Sequence, residues 1–544
     1  TLAALTPRQR AAQLVHAWIV GDYESTTDSA FATTAAWVRD DGIGGVIMSV
    51  GSPVEVAVKV NALQALARVP LLISADIEPS LGRLEGGVYL PSMIRGGSAT
   101  VIPTAMAIGA TGDTALAYAA GRITGLESRA VGIHITYAPV TDVNVNPANP
   151  VINVRSFGEA PGAVAALGAA FVRGVQDGGA VATAKHFPGH GDTDTDSHNA
   201  LPVLRLTRAR LDSVELRPFR AAIEAGVASV MSAHIALPTW LGDDVPATLQ
   251  PRVLTGLLRD SLGFRGLVIT DALTMDGVAR QFTQADIAIR AVRAGADVLL
   301  KPADVPPVIT ALTAEMTRDP AFAARVTEAA RRNLALKARL GLQRGAQVSL
   351  DTLRAVVGRA EHRAIAQRIA DRSVTLLRDD GALPMRGAAP MTVVTYAAAA
   401  ENTAGDAFAA ELRRATGATI RRVRVTPQTT RAELDSIATA SAGTRLVVLT
   451  AVRRVEGAGR TAIVPTFADW VQAQVPARAP LVVATGNPYV IGQFPAVRRY
   501  LVTYSVGVAP ERAAARAIAG TQPITGRSPV SLPGQFMRGD GVQR

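Results

Sequence analysis

The sequence predicts an α/β protein. It reads as a TIM-type (β/α)8 barrel over residues 1–345, a linker and connecting helix over 346–390, and an αβα sandwich over 391–544. Three observations predict this. Short apolar runs recur through the first two-thirds, each separated from the next by enough chain for a helix, which is the pattern of a parallel sheet covered by helices. That pattern breaks between about Gly341 and Arg363, and a second series of the same kind begins at Met391. At 544 residues the chain is also long enough for more than one domain.

The first apolar stretch, Ala11–Val20, holds Gln13 and His16 and reads as the opening of an ordinary helix. Seven strand candidates follow: Gly45–Ser49, Leu71–Ala75, Ile133–Val140, Val181–Ala184, Ser229–Ala233, Leu267–Thr270 and Asp297–Leu300. Each is apolar on both faces, and seven such units suit a barrel with inserted loops or a large doubly wound sheet. In the second part the strands are MTVVTY, TIRRVRV, RLVVLTAV, PLVVATG and YLVTYSV, with helical patterns at Asp406–Ala415 and Arg431–Ala440 between them.

Composition removes several classes of function. With 48% hydrophobic and 19% charged residues the chain is globular rather than disordered. No run of about 18 apolar residues predicts a membrane-spanning helix. There is no cysteine, which excludes disulfides, zinc ribbons, iron–sulfur clusters and cysteine nucleophiles. No glycine-rich phosphate loop follows a strand, so nucleotide binding has no support.

The net charge of +11 is uneven: Met391–Arg544 holds 18 arginines against 9 acidic residues, or +9, leaving +2 for the rest. The competing readings are a solvated arginine-rich surface and a face for nucleic acid, an acidic polymer or an anionic membrane surface. The pairs Arg413-Arg414, Arg421-Arg422, Arg453-Arg454 and Arg498-Arg499 lack interleaved aromatics, which argues against nucleic acid. The numbering opens at Thr1 rather than methionine, and from this an exported protein that has lost an upstream segment is expected.

In a parallel barrel the functional side chains stand just after the strand C-termini. There the sequence places Asp76, Asp142, Lys185-His186, His234 and Asp271. An Asp after a strand is often only a helix cap, but five such positions on one rim are hard to explain as caps. The richest segment is Lys185–His198, KHFPGHGDTDTDSH, with three of the seven histidines. Pro188, Gly189 and Gly191 forbid a regular helix, so a long loop over the barrel mouth is expected.

Two chemistries compete for this loop. His186, His190 and His198 with Asp192, Asp194 or Asp196 are suitable zinc ligands, although the spacing does not match a helical H-E-x-x-H site. Alternatively, Asp196 orients and charges His198 as a general acid/base. No G-x-S-x-G elbow is present, so a carboxylate is the natural nucleophile, with Asp271 the best placed.

KHFPGHGDTDTDSH, followed by PATLQPRVLTGLLRDSLGFRGLVITDALTMDGV, resembles glycoside hydrolase family 3, in its β-N-acetylglucosaminidase branch. The resemblance runs from about Leu5 to the end of the barrel and through DRSVTLLRDDGALPM (Asp371–Met385) into a sandwich domain. It implies Asp271 as nucleophile, His198 as acid/base and Asp196 as its partner. It also implies Asp76, Arg155, Lys185 and His186 as groups that hydrogen-bond the sugar, with His234 and Met275 lining the same pocket.

The family pattern D-x-E-G-G reads Asp76-Ile77-Glu78-Pro79-Ser80 here, which leaves Glu78 and Arg83 without an assigned role. The implied activity is removal of terminal β-linked N-acetylhexosamine from peptidoglycan fragments or chitooligosaccharides, with neither metal nor cofactor. The alternatives are an acid/base at Glu456 as in β-glucosidases, a phosphorylase using phosphate in place of water, and a non-catalytic glycan-binding protein.

Overall fold

The computed structural model describes residues 2–86, 99–453 and 462–544, which form two compact units. One unit contains residues 1–101, 117–143 and 165–363, and the other contains 102–116, 144–164 and 364–544. Glu456 and Arg454 lie outside the described residues.

The first unit is a parallel barrel. Its strands are β1 (Val15–Ile19), β2 (Gly45–Met48), β3 (Leu72–Ala75), β4 (Ile135–Thr136), β5 (Val181–Phe187), β6 (Ser229–Ser232), β7 (Leu267–Ile269) and β8 (Leu299–Leu300). They pair in the order β7-β6-β5-β4-β3-β2-β1-β8, and a bridge between Ile269 and Val298 joins the two ends. The interior is filled by Ile47, Leu72, Ile135, Tyr137, Val181, Met231, Leu267, Ile269, Val298 and Leu300, with Leu336 and Leu342 packed on the same cluster. Inward-facing residues of β2 to β8 supply this core, as a closed barrel requires.

Two expectations need correction. Ala11–Val20 is not the opening of one helix: a helix at Pro7–Ala12, capped by Thr6, ends there, and Val15–Ile19 is the first barrel strand. Four of its five residues are buried, so the two-residue alternation that marks a half-exposed strand is missing. Secondly, the loop over the mouth does not begin at Lys185, because β5 continues to Phe187 and carries Lys185 and His186 inside the strand.

The second unit is built on a six-stranded sheet. Its strands are β9 (Thr375–Arg378), β10 (Met391–Ala397), β11 (Ile420–Val425), β12 (Arg445–Val452), β13 (Leu481–Gly486) and β14 (Arg499–Val502), in the order β11-β10-β12-β13-β14-β9. All neighbours are parallel except β14 and β9. Adjacent residues feed opposite cores: Val394, Val448, Val482 and Val502 pack with Phe467 and Trp470, while Val393, Val447, Val483 and Leu501 pack with Phe408 and Leu412. Burial on both faces explains the continuous apolar runs.

Residues 346–390 contain helices at Leu350–Val356 and Ala360–Ser373, then β9, which joins the sheet at its edge. Many of the arginines in this unit are engaged by its own chain. Arg414 pairs with Glu411, Arg422 with Asp406, Arg453 with Glu401 and Arg499 with Asp380, while Arg413, Arg421 and Arg424 donate to backbone carbonyls.

Candidate active site

The site is assembled at the C-terminal ends of the barrel strands. Val181, Thr183 and Lys185 share one face of β5, and Val181 belongs to the barrel interior, so Lys185 points inward. Its ammonium is buried, 2.8 Å from Asp76 Oδ1 and 2.5 Å from Glu78 Oε1. Glu78 in turn lies 3.5 Å from Arg83. Pairing is what lets a lysine remain charged inside a protein. The Asp76 carboxylate is partly open to solvent and is placed to accept from a ligand hydroxyl while it holds Lys185.

His186 is fixed from the other side. Its Nδ1 donates to Asp142 Oδ2 at 2.7 Å, and the backbone N–H of His190 donates to Asp142 Oδ1 at 2.7 Å. Burial raises the Asp142 carboxyl, but His186 and His190 outweigh it and hold the group below the usual carboxylate range. A carboxylate that accepts this many N–H groups anchors the turn after β5.

The following segment is packed rather than open. His190 is buried, with Nδ1 2.8 Å from Thr193 Oγ1 and Nε2 2.9 Å from Ser197 Oγ. Burial, helped by nearby His186 and opposed by Asp142, brings its pKa down to about 4, so at neutral pH it is an uncharged tie across the loop. Gly191 passes so close to Val143 that an added Cβ would sit 1.8 Å from the Val143 carbonyl oxygen.

At the end of that segment His198 Nδ1 meets Asp196 Oδ1 at 2.7 Å, and the His198 backbone N–H donates to the same oxygen at 3.0 Å. The Asp196 side chain is 4% exposed and that of His198 33%. The acceptor must be the carboxylate, so the proton on this side of the ring sits on Nδ1 and Nε2 is the atom available for proton transfer.

The carbonyls of Ser197 and His198 accept from the N–H groups of Gly277 and Asp276 at 3.1 and 3.4 Å. The loop is thereby docked onto the chain that follows β7. That chain begins with Asp271, whose Oδ1 accepts from the Ala272 N–H at 2.8 Å. Burial raises the Asp271 carboxyl, but the neighbouring His186, His234 and His198 rings and the Ala272 N–H together bring it below its ordinary value. The carboxylate is therefore ionised at neutral pH and sits within electrostatic reach of His198.

His234 Nε2 donates to the Ala272 carbonyl at 3.0 Å, and Nδ1 lies 3.0 Å from Thr248 Oγ1. Burial lowers its pKa against the opposing pull of Asp271, so it is a neutral ring with its proton on Nε2. Both nitrogens are used inside the protein, and the ring holds the backbone beside Asp271. Met275 is buried in the turn before the short helix Asp276–Ala279.

Of the residues singled out from sequence, Asp76, Lys185, His186, His234, Asp271 and Met275 lie at or after strand ends of the first unit, and Asp196 and His198 lie on the loop that follows β5. Arg155 belongs to the second unit, in a turn at Asn153–Arg155, where its Nη1 donates to the Val151 carbonyl at 3.2 Å. The sequence reading assigned no role to Glu78 or Thr248 and gave Asp142 no partner. For Glu78 the signal was there: a second carboxylate two residues after Asp76 is the spacing that lets both reach one cation. Among the described residues no three His, Asp or Glu side chains converge as metal ligands, and each loop histidine is already held by a carboxylate or by hydroxyls.

The chain resembles known proteins in sequence and in fold. Residues 6–336 match the model of the glycosyl hydrolase family 3 N terminal domain. The chain is 36% identical over 353 residues to a beta-N-acetylglucosaminidase/beta-glucosidase of Cellulomonas fimi, and 33% identical over 378 residues to beta-hexosaminidase A of Pseudoalteromonas piscicida. Each alignment spans 63% of this chain and 61% of the relative. The structure of a glycoside hydrolase family 3 beta-N-acetylglucosaminidase from Paenibacillus sp. str. FPU-7 superposes with a TM-score of 0.84 at 34% identity. It covers 97% of this chain and 99% of that one. With a parallel barrel, a separate α/β sheet and a family match over well more than half its length, the chain belongs to glycoside hydrolase family 3.

Proposed function

We propose that the protein is a retaining, exo-acting β-N-acetylglucosaminidase that removes terminal β-linked N-acetylhexosamine from peptidoglycan fragments or chitooligosaccharides. The observation that carries this reading is an ionised Asp271 beside a histidine whose far nitrogen is fixed on Asp196. Retaining hydrolysis needs a carboxylate nucleophile on one face of the sugar and a proton donor at the glycosidic oxygen.

Asp271 attacks the anomeric carbon and forms a glycosyl-enzyme as the C–O bond to the leaving group breaks. His198, as imidazolium, delivers its Nε2 proton to the departing oxygen. The resulting neutral imidazole then takes a proton from water, which attacks the anomeric carbon and releases Asp271. Asp196 stabilises the imidazolium and fixes the tautomer throughout. Asp76, Lys185 and His186 hold the sugar. The relatives' names support the choice of N-acetylglucosamine.

The test is turnover of an aryl β-N-acetylglucosaminide and an unactivated disaccharide, with the product anomer followed by NMR. Asp271→Ala should abolish both activities, and first-formed product should be the β-anomer. First-formed α-product, or full activity in Asp271→Ala, would overturn the assignment. In the same reading the +9 segment at 391–544 meets an anionic wall polymer; binding to insoluble peptidoglycan should then fall as salt is added, and salt-independent binding rejects this.

A further inference from the structure

The described residues contain two exposed aromatic side chains, Trp18 at 40% and Tyr23 at 72%. Both belong to β1 and the turn that follows it. Trp18 is the one exposed residue of β1, and the register shows where it points. It pairs with Ile47 on β2, and Ile47 pairs with Ser74 on β3. Ile47 is part of the barrel interior, and the Ser74 hydroxyl accepts from the inward-facing Tyr137. Cross-strand partners share a face, so Trp18 stands on the inner wall of the barrel mouth. Two residues beyond Ser74, on the same face, is Asp76.

The neighbouring strand completes the feature. Lys301 follows β8 directly, with φ of +49°, a left-handed conformation uncommon for lysine. Its ammonium lies 4.8 Å from the centre of the Trp18 ring. Among the described residues Lys301 has no carboxylate partner. Backbone strain of this kind at a strand end tends to mark a functional position. β7, which delivers Asp271, is two strands from β1 across β8, or roughly 10 Å at the usual strand spacing.

We propose that Trp18 and Lys301 form the wall that selects the leaving group: the indole face stacks on the pyranose next to the one being cleaved, and the ammonium pairs with a carboxylate carried by that sugar. This rests on the glycosidase reading above. A flat apolar ring matches the C–H face of a sugar, and an unpaired cation beside it discriminates by charge. No proton moves through either residue, so both are specificity-determining rather than catalytic.

The experiment compares three substrates: N-acetylglucosaminyl-N-acetylmuramic acid, its methyl ester, and N,N′-diacetylchitobiose. The parent should prefer the acid over the ester by about fivefold in kcat/KM at low salt, the scale of a partly exposed ion pair. Lys301→Gln should bring that ratio to about one, and a ratio that Lys301→Gln does not move overturns the charge pairing. Trp18→Ala should raise KM for all three about tenfold with kcat within twofold, and Trp18→Phe should restore KM. A fall in kcat at constant KM, or failure of Phe to restore, would assign Trp18 a structural role and overturn the stacking.

If the parent cleaves none of the three, the glycosidase reading fails by itself. The pair is then read by calorimetric binding of the acid and its ester to parent and Lys301→Gln, with loss of the acid's advantage supporting it and no difference overturning it.

Discussion

Asp196 receives two hydrogen bonds from His198, one from the ring at 2.7 Å and one from the backbone at 3.0 Å, on the same carboxylate oxygen. Two contacts to one residue fix both the position of the ring and its tautomer. Asp196→Asn keeps the shape but allows the amide to donate to Nδ1, which would move the ring proton to Nε2 and disable it as an acceptor. With the mechanism proposed above, kcat on a disaccharide should fall by about 10²–10⁴. An aryl substrate with a good leaving group should lose less in its first step, because it needs less protonation. Steady-state rates on the two substrates check this; equal losses would show that the dyad does not act on the leaving group.

Glu78 shares the Lys185 ammonium with Asp76 and is itself mostly buried. Glu78→Gln keeps the size and removes the charge, leaving Lys185 less compensated inside the barrel. The expected cost is about 1–3 kcal/mol of stability, with a raised KM as Lys185 and Asp76 lose their setting. Urea denaturation alongside kinetics measures both, and an unchanged midpoint would mean that the pair is not a net stabiliser.

Lys337 is buried against the Gln13 side-chain oxygen at 2.6 Å, and burial brings its pKa down to about 7. An unfolded lysine titrates near 10.4. Between about pH 7 and pH 10 the unfolded chain therefore holds the extra proton, and this group makes stability rise with pH across that window. Below pH 7 its full cost is present. Lys337→Met should stabilise the protein by about 1–3 kcal/mol at pH 7, and the gain should shrink toward pH 10. Melting curves at several pH values test the sign; a gain that grows with pH would contradict it.

Gly191 has no room for a side chain, since a Cβ would sit 1.8 Å from the Val143 carbonyl oxygen. Gly191→Ala must push the loop away from the chain carrying Asp142 and, with it, the His190 tie. Overpacking against backbone costs typically about 1–3 kcal/mol, and displacement of Asp196 and His198 should reduce activity at least tenfold. A variant with normal rates and melting temperature would show that the loop position is not set here.

How much of this was legible beforehand differs from residue to residue. The parallel series was readable because strands buried on both faces are continuous apolar runs, as β10, β12 and β13 are. Asp271, Lys185 and His234 were readable because chemistry in a barrel collects at strand ends. The Asp196–His198 contact was readable because the two are local in the chain.

Other features depended on distant chain. Val15–Ile19 is a strand because β2 and β8 lie on either side of it, and no local pattern in five residues separates that from a helix. Asp142 became the partner of His186, and Glu78 of Lys185, only when β3, β4 and β5 came together in the barrel. Local chemistry and periodicity determine which residue types stand at the ends of the elements. Barrel closure decides which of them meet, because a hydrogen bond between residues 44 or 109 positions apart exists only once the intervening strands have paired.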